Sequence, residues 1–111
     1  MKNFRTLEQA KKDLAVIQEY IDLIENYQPE SLTQHVISVY SRCGNIARTA
    51  SYLNEQGFRI DGRLIEPADV SEMIRSKPAK DDLLHKKVRE LYLKRIKPYA
   101  FQIFKRNQAT Y

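Results

Sequence analysis

The stretch GNIARTASYLNEQGFRIDGRLIEPADVSEMIRS, from Gly44 to Ser76, decides how this chain is built. Asn45 is a good helix cap, and Ile46, Ala50 and Leu53 follow it at helical spacing, so a helix is expected from Ile46 to about Gln56. Ala50 is small enough to let another helix approach closely, and Gly57 closes the segment. Phe58, Ile60, Leu64 and Ile65 then flank Asp61-Gly62, a dipeptide that favours a tight hairpin turn. The arms are short, so a small hairpin or extended loop near 58–65 is expected and not a sheet. Pro67 suits the first turn of a further helix, Pro67 to Arg75, with Val70 and Ile74 inward and Met73 beside them.

Upstream, Ser31 and Gln34 stand at capping-box spacing and Gly44 is placed to end a helix in the left-handed conformation. A helix from Leu32 to Arg42 follows, with Leu32, Val36, Val39 and Tyr40 inward. Before the break at Pro29, Thr6 and Gln9 repeat the same spacing and open a helix from about Leu7 to Tyr27. Its apolar residues Leu7, Ala10, Leu14, Ile17, Ile21 and Ile24 alternate steps of three and four, which draws one stripe expected to face inward. The stripe is shorter than the three or four heptads of an extended coiled coil, so packing within the domain or in a dimer is expected.

Downstream, Lys77, Pro78 and Ala79 form a break, and Asp81 can cap a long last helix beginning near Asp82. Its stripe reads Leu84, Val88, Leu91, Tyr92, Ile96, Tyr99 and Ile103. Pro98 is expected to kink or end it. Phe101 and Phe104 fall off the stripe, toward a partner or a reoriented segment. The expected fold is therefore all-α. About five helices form a single helical domain over 1–111, with N-terminal helices in 1–43, the paired helices in 44–76 and a basic helix in 77–111. Surplus apolar surface, from the stripe Leu7 to Ile24 and from Phe101 and Phe104, predicts a homodimer.

Charge is unevenly distributed. Residues 1–75 carry nine basic and eleven acidic side chains, whereas 76–111 carry ten basic and three acidic ones. An excess of cations confined to one segment suggests contact with a polyanion. At about 100° per residue, Lys86, Lys87, Lys94 and Lys97 share the side opposite the apolar stripe, with Arg89 and Arg95 flanking it. Such a row can track a phosphate backbone; a solvated helix face is the plainer meaning.

Two helices joined by a glycine-containing turn, with a basic segment next to them, form a helix-turn-helix-like core. The order of residues in 44–76 resembles the DNA-binding region of serine-recombinase-type proteins. Leu53-Asn54-Glu55 ends one helix before Gly57. Gly62-Arg63 occupies the linker, and Val70 and Ile74 stand four apart in the next helix. The resemblance covers about a third of the chain and none of that family's catalytic domain, so it implies a reading module without recombinase activity. In such a module the second helix enters the major groove. Ala68, Asp69, Ser71, Glu72 and Arg75 are then expected to face outward, with Ser71, Glu72 and Arg75 at base edges. Arg59, Arg63 and Lys77 are expected at phosphates. The acidic face of Glu66, Asp69 and Glu72 argues the other way and suits a basic protein partner.

No enzyme is indicated. His35 and His85 stand apart and neither has zinc-ligand spacing with Cys43, so no metal or other cofactor is expected. Cys43, the single cysteine, cannot form an internal disulfide and is expected to pack as a small apolar side chain. Three scattered glycines make no phosphate-binding loop. No apolar run approaches membrane-spanning length, no small-molecule ligand is evident, and Met1 to Arg5 lack an apolar signal region, so a cytoplasmic protein is expected. The functional expectation is a small nucleic-acid-binding protein, with duplex DNA favoured over RNA, acting in transcription regulation or as an accessory factor. The alternative is a protein-interaction adaptor whose helix pair is only structural.

Overall fold

The structure, a computed structural model, describes the backbone of residues 6–108 and the side chains of residues 6–96. Five helices follow one another: α1 Leu7–Glu25, α2 Leu32–Cys43, α3 Ile46–Glu55, α4 Pro67–Arg75 and α5 Leu83–Gln108. No strand forms among the described residues, and the fold is all-α as expected.

The starts and stops follow local chemistry. The Thr6 side chain accepts from Gln9 N at the head of α1. Ser31 and Gln34 close a reciprocal capping box on α2, and Gly44 ends that helix at φ 65°. Asn45 Oδ1 accepts from Arg48 N at 2.9 Å to begin α3. Each such cap satisfies a backbone donor that the first helical turn leaves unpaired. At the last helix the cap is Asp82 and not Asp81: Asp82 Oδ1 accepts from His85 N at 2.9 Å and the helix starts at Leu83. Pro98 does not end α5, which continues to Gln108. Its ring removes only one backbone donor from the ladder. The side chains of Lys97, Tyr99, Phe101, Ile103 and Phe104 lie outside the described residues.

Between α3 and α4 the expected hairpin shrinks to one turn. Ile60 and Arg63 exchange two backbone hydrogen bonds of 2.9 Å, and Asp61 and Gly62 between them sit at φ 49° and 81°. Positive φ at both central residues is the geometry that suits Asp-Gly. Asn54 then fixes the far end of the linker. Its side chain donates to Ile65 O at 2.9 Å and accepts from Ile65 N at 2.8 Å. Ile65 is thereby held in the core, 3% exposed.

Helices α2, α3 and α4 pack on one another in all three pairs, and α5 lies across α2 and α4. The core is Val36, Ile37, Tyr40, Ala50, Leu53, Ile65, Val70, Ile74, Leu84 and Val88. Burying each large aliphatic among these contributes about 1.5–3 kcal/mol. Polar groups inside are paired. His85 Nε2 lies 3.1 Å from Ile74 O, which requires the proton on Nε2. Thr49 Oγ1 donates to Asn45 O at 2.8 Å.

The first helix departs from expectation. None of its residues is buried. Leu7, Leu14, Ile17 and Ile21, four residues of the anticipated inward stripe, are 73%, 64%, 55% and 39% exposed, while Ile24 at its end does pack on the core. The face that meets the core is instead Tyr20, Leu23 and Ile24, followed by Tyr27 beyond the helix end. These residues all lie in the last two turns or just after them, so α1 docks by one end only. The Tyr27 hydroxyl donates to Asp82 Oδ2 at 2.7 Å and anchors that end to the start of α5. Burial, then the hydrogen bond to Asp82 and its charge, raise the Tyr27 pKa well above the usual phenol range.

Candidate nucleic-acid interface

The cations divide by residue type. Arginines are mostly committed to the fold, and each of the first four helices has one at its C-terminal end. Arg42 donates to Ile24 O of α1 at 3.3 Å, and Arg95 to Gly44 O, the cap of α2, at 2.7 Å. Arg59 donates to Asn54 O of α3 at 3.1 Å, and Arg89 Nε to Arg75 O of α4 at 3.0 Å. The last carbonyls of a helix have no internal partner and carry the negative end of its dipole, so a guanidinium is well suited to cover them.

Arg63 is committed differently. Its two terminal nitrogens grip both Asp69 oxygens, at 2.8 and 3.0 Å, in the forked geometry that favours arginine. Asp69 also accepts from Glu66 N at 2.8 Å at the head of α4. Arg63 first, and that backbone donor second, hold the Asp69 carboxyl down at about 2. Arg63 and Arg59 therefore act within the linker and at the end of α3, where sequence reasoning expected phosphate contacts. Asp69, half-buried and paired, leaves the expected acidic face, which is reduced to Glu66 and Glu72.

Ser71 is also turned away from the expected outer face. It is half-buried, and its hydroxyl lies 2.7 Å from Tyr92 Oη on α5. The reason is position: α5 crosses that side of α4, and Tyr92 also sits edge-on to Tyr40 with ring centres 6.0 Å apart. What remains exposed along α4 after Pro67 is Ala68, Glu72 and Arg75, at steps of four and three and so on one narrow face.

The lysines, exposed like most of the arginines, are less tied to the fold. Lys77, Lys80, Lys86 and Lys94 are exposed, and Lys87 is half-buried. Lys86 Nζ reaches the Lys80 carbonyl at 2.6 Å. Lys94 faces Glu90 at 3.3 Å in a surface pair, a contact of little energetic weight. Lys86, Arg89, Glu90 and Lys94 line one groove with Pro78 and Leu93. Because Arg89 holds the last carbonyl of α4, this basic groove begins where the exposed face of α4 ends at Arg75. The Arg75 carbonyl thus lies beside the groove that holds Lys86 and Lys94, whereas Arg63 lines a pocket with Asp69 and Glu72 of α4. Lys87 does not line the groove, and the side chain of Lys97 lies outside the described residues.

Comparison with protein-family models, with characterised proteins and with solved structures returned no match.

The rest of the surface offers less chemistry. Cys43 is exposed and not packed, with Sγ 3.3 Å from Thr49 Oγ1. Among the described residues no group of His, Cys, Asp and Glu is arranged to hold a metal ion, and no helix is long and apolar enough to cross a membrane. A groove of about 630 Å³ runs along α2 and α3, with Val39, Leu53 and Phe58 in its lining and Arg42 and Arg48 among its polar residues.

Sequence reasoning missed the arginine caps. The signal was present as single arginines near or beyond helix ends, but which carbonyl each one reaches depends on how the helices cross. In the sequence Asn54 is only one part of the Leu53-Asn54-Glu55 pattern. Its role as the clamp on Ile65 needed the path of the linker.

Proposed function

We propose that this protein binds double-stranded DNA as a small regulator or accessory factor, with α4 in the major groove. The observation that carries the reading is the continuity of the exposed face of α4 with the lysine groove. Arg89, which lines that groove, holds the Arg75 carbonyl at the end of α4. On this reading Arg75 and Glu72 meet base edges: an arginine pairs with guanine in bidentate fashion, and a glutamate accepts from the cytosine amino group. Lys77, Lys86, Lys87 and Lys94, continued in sequence by Lys97, neutralise phosphates and release counterions. Withdrawal of Asp69 from the surface by Arg63 supports it by removing one of the anions that would oppose a duplex. The mutual packing of α2, α3 and α4 supports it as well, since three such helices are the framework on which a recognition helix is presented. The likeness of residues 44–76 to the DNA-binding region of serine-recombinase-type proteins points the same way.

The test is a fluorescence-anisotropy titration against random duplex, single-stranded DNA and structured RNA at two salt concentrations. Duplex is expected to bind most tightly, with an affinity that falls steeply with salt. Tighter binding to structured RNA would move the reading to RNA. Silence toward all three at low salt would end it and leave the protein-interaction alternative.

A further inference from the structure

We infer that α1 is a self-association helix, and that two copies of this chain pair through antiparallel α1 helices. Leu7, Leu14, Val16, Ile17 and Ile21 are exposed large apolar side chains on a single helix. Four of them, with Ala10 between, hold the alternating three-and-four spacing of a helix-pairing seam. Only the last two turns of α1 reach the core, through Tyr20, Leu23, Ile24 and Tyr27. The preceding turns gain little from the core, and a segment of this length is only marginally helical in water without something against it.

The choice of a second copy, and of its direction, follows from charge. Within the helix, residues 7–12 carry Lys11 and Lys12 against Glu8 alone. Residues 13–25 carry Asp13, Glu19, Asp22 and Glu25 and no cation. The last turn of α1 holds no basic residue, although a helix dipole favours cations at that end. This order opposes a lone helix. It also opposes a parallel pair, which would set acid on acid and base on base. An antiparallel pair sets the basic half of each helix against the acidic half of the other and opposes the two dipoles.

The seam accepts the same arrangement. About a two-fold axis between Ala15 and Val16, Leu14 meets Ile17 of the second copy and Ala10 meets Ile21. The small Ala10 faces the large Ile21, which suits close packing. Leu7 then reaches the half-buried Ile24 of the other copy. Every contact occurs twice, as a closed two-fold dimer requires.

Sedimentation equilibrium on the whole chain tests this. The wild type is expected to be dimeric at high micromolar concentration, and Leu14→Glu with Ile17→Glu monomeric. Both positions are exposed, so circular dichroism should show the α2–α5 helices retained. Charge reversal reads the direction. Lys11→Glu with Lys12→Glu, or Glu19→Lys with Asp22→Lys and Glu25→Lys, should each weaken the dimer by at least about tenfold. An equimolar mixture of the two variants should pair again. The second set places cations at the C-terminal end of α1 and so favours the helix itself, which separates lost pairing from lost folding. A wild type that stays monomeric, a dimer that survives Leu14→Glu with Ile17→Glu, or a dimer indifferent to both charge reversals would each overturn the inference. None of these outcomes depends on DNA, so the binding reading stands or falls separately.

Discussion

In α3 and α4 the residues that recur at helical spacing are the residues that are buried; in α1 they are, Ile24 apart, the residues that are exposed. Ala50, Leu53, Val70 and Ile74 are each at most 3% exposed, whereas Leu14 and Ile17 are more than half exposed. Periodicity therefore identified an apolar face correctly in both places and its partner in only one. The difference lies in neighbours. Helices α3 and α4 are flanked closely by chain that folds back on them, while α1 is tied down only near Tyr27.

The largest effect expected from this contrast is in stability. Leu53→Ala or Ile74→Ala removes a filled position in the central core and should cost about 2–5 kcal/mol in urea denaturation. Leu14→Ala, at concentrations where the chain is monomeric, should change stability by no more than about 0.5 kcal/mol. Equal losses at Leu14 and Leu53 would show that α1 is closed into the same core, and the comparison would break.

A smaller loss is expected at the joint between the two regions. Asp82 caps α5 and also receives the Tyr27 hydroxyl and, at 3.4 Å, the Gln34 amide. Asp82→Ala removes a helix cap and leaves two donors without their acceptor, for a cost of about 1–3 kcal/mol. Tyr27→Phe removes only one of those bonds and should cost about 1 kcal/mol. Hydrogen exchange should localise the loss in Tyr27→Phe to the last turns of α1. A loss spread evenly over α2 to α4 would mean that α1 and the core unfold as one unit.

The fold was legible because its punctuation is local. Ser31 with Gln34, Gly44, Asn45, Asp61-Gly62 and Pro67 each act within a few residues, and each does what its chemistry suggests. The candidate site was less legible because its charges are assigned over long distances. Arg95 and Gly44 are 51 positions apart, so no window of sequence reveals that one covers the other. Ser71 was misplaced for a related reason: helical spacing gives its direction on α4 but not the presence of Tyr92 there. Lysines and arginines are alike mostly exposed, but a guanidinium is better suited than a compact, strongly hydrated ammonium to bridging helix ends.

That division of cations gives a sharper test than charge alone. Arg95→Met withdraws donors from Gly44 O and the Tyr40 hydroxyl, and should lower stability by about 1 kcal/mol with little change in duplex affinity. Lys86→Gln should leave stability unchanged, lower affinity similarly for all sequences, and flatten the salt slope by about one unit. If Arg95→Met weakened DNA binding as much as Lys86→Gln did, the arginines would belong to the interface as well as to the fold.

The smallest expected effect concerns Asp69, where the linker decides whether an acid stays on the recognition face. With Arg63 in place the Asp69 carboxyl titrates at about 2, below its ordinary 3.8. A folded-state pKa that is depressed stabilises the fold above the unfolded value and loses that contribution as pH falls through the folded one. The effect is therefore confined to roughly pH 4 down to 2 and is invisible at neutral pH. Arg63→Met should raise the Asp69 midpoint toward 3.8, measured by NMR titration of its side-chain carboxyl. It should not restore the ordinary value fully, because the Glu66 N–H still donates to the same carboxylate. At neutral pH the same variant leaves Asp69 charged but no longer neutralised, beside Glu66 and Glu72. Duplex affinity should then fall even if Arg63 itself meets no phosphate. Were affinity unchanged while the carboxyl midpoint rose, the Arg63–Asp69 pair would matter only to the linker, and α4 would meet DNA away from its N-terminal half.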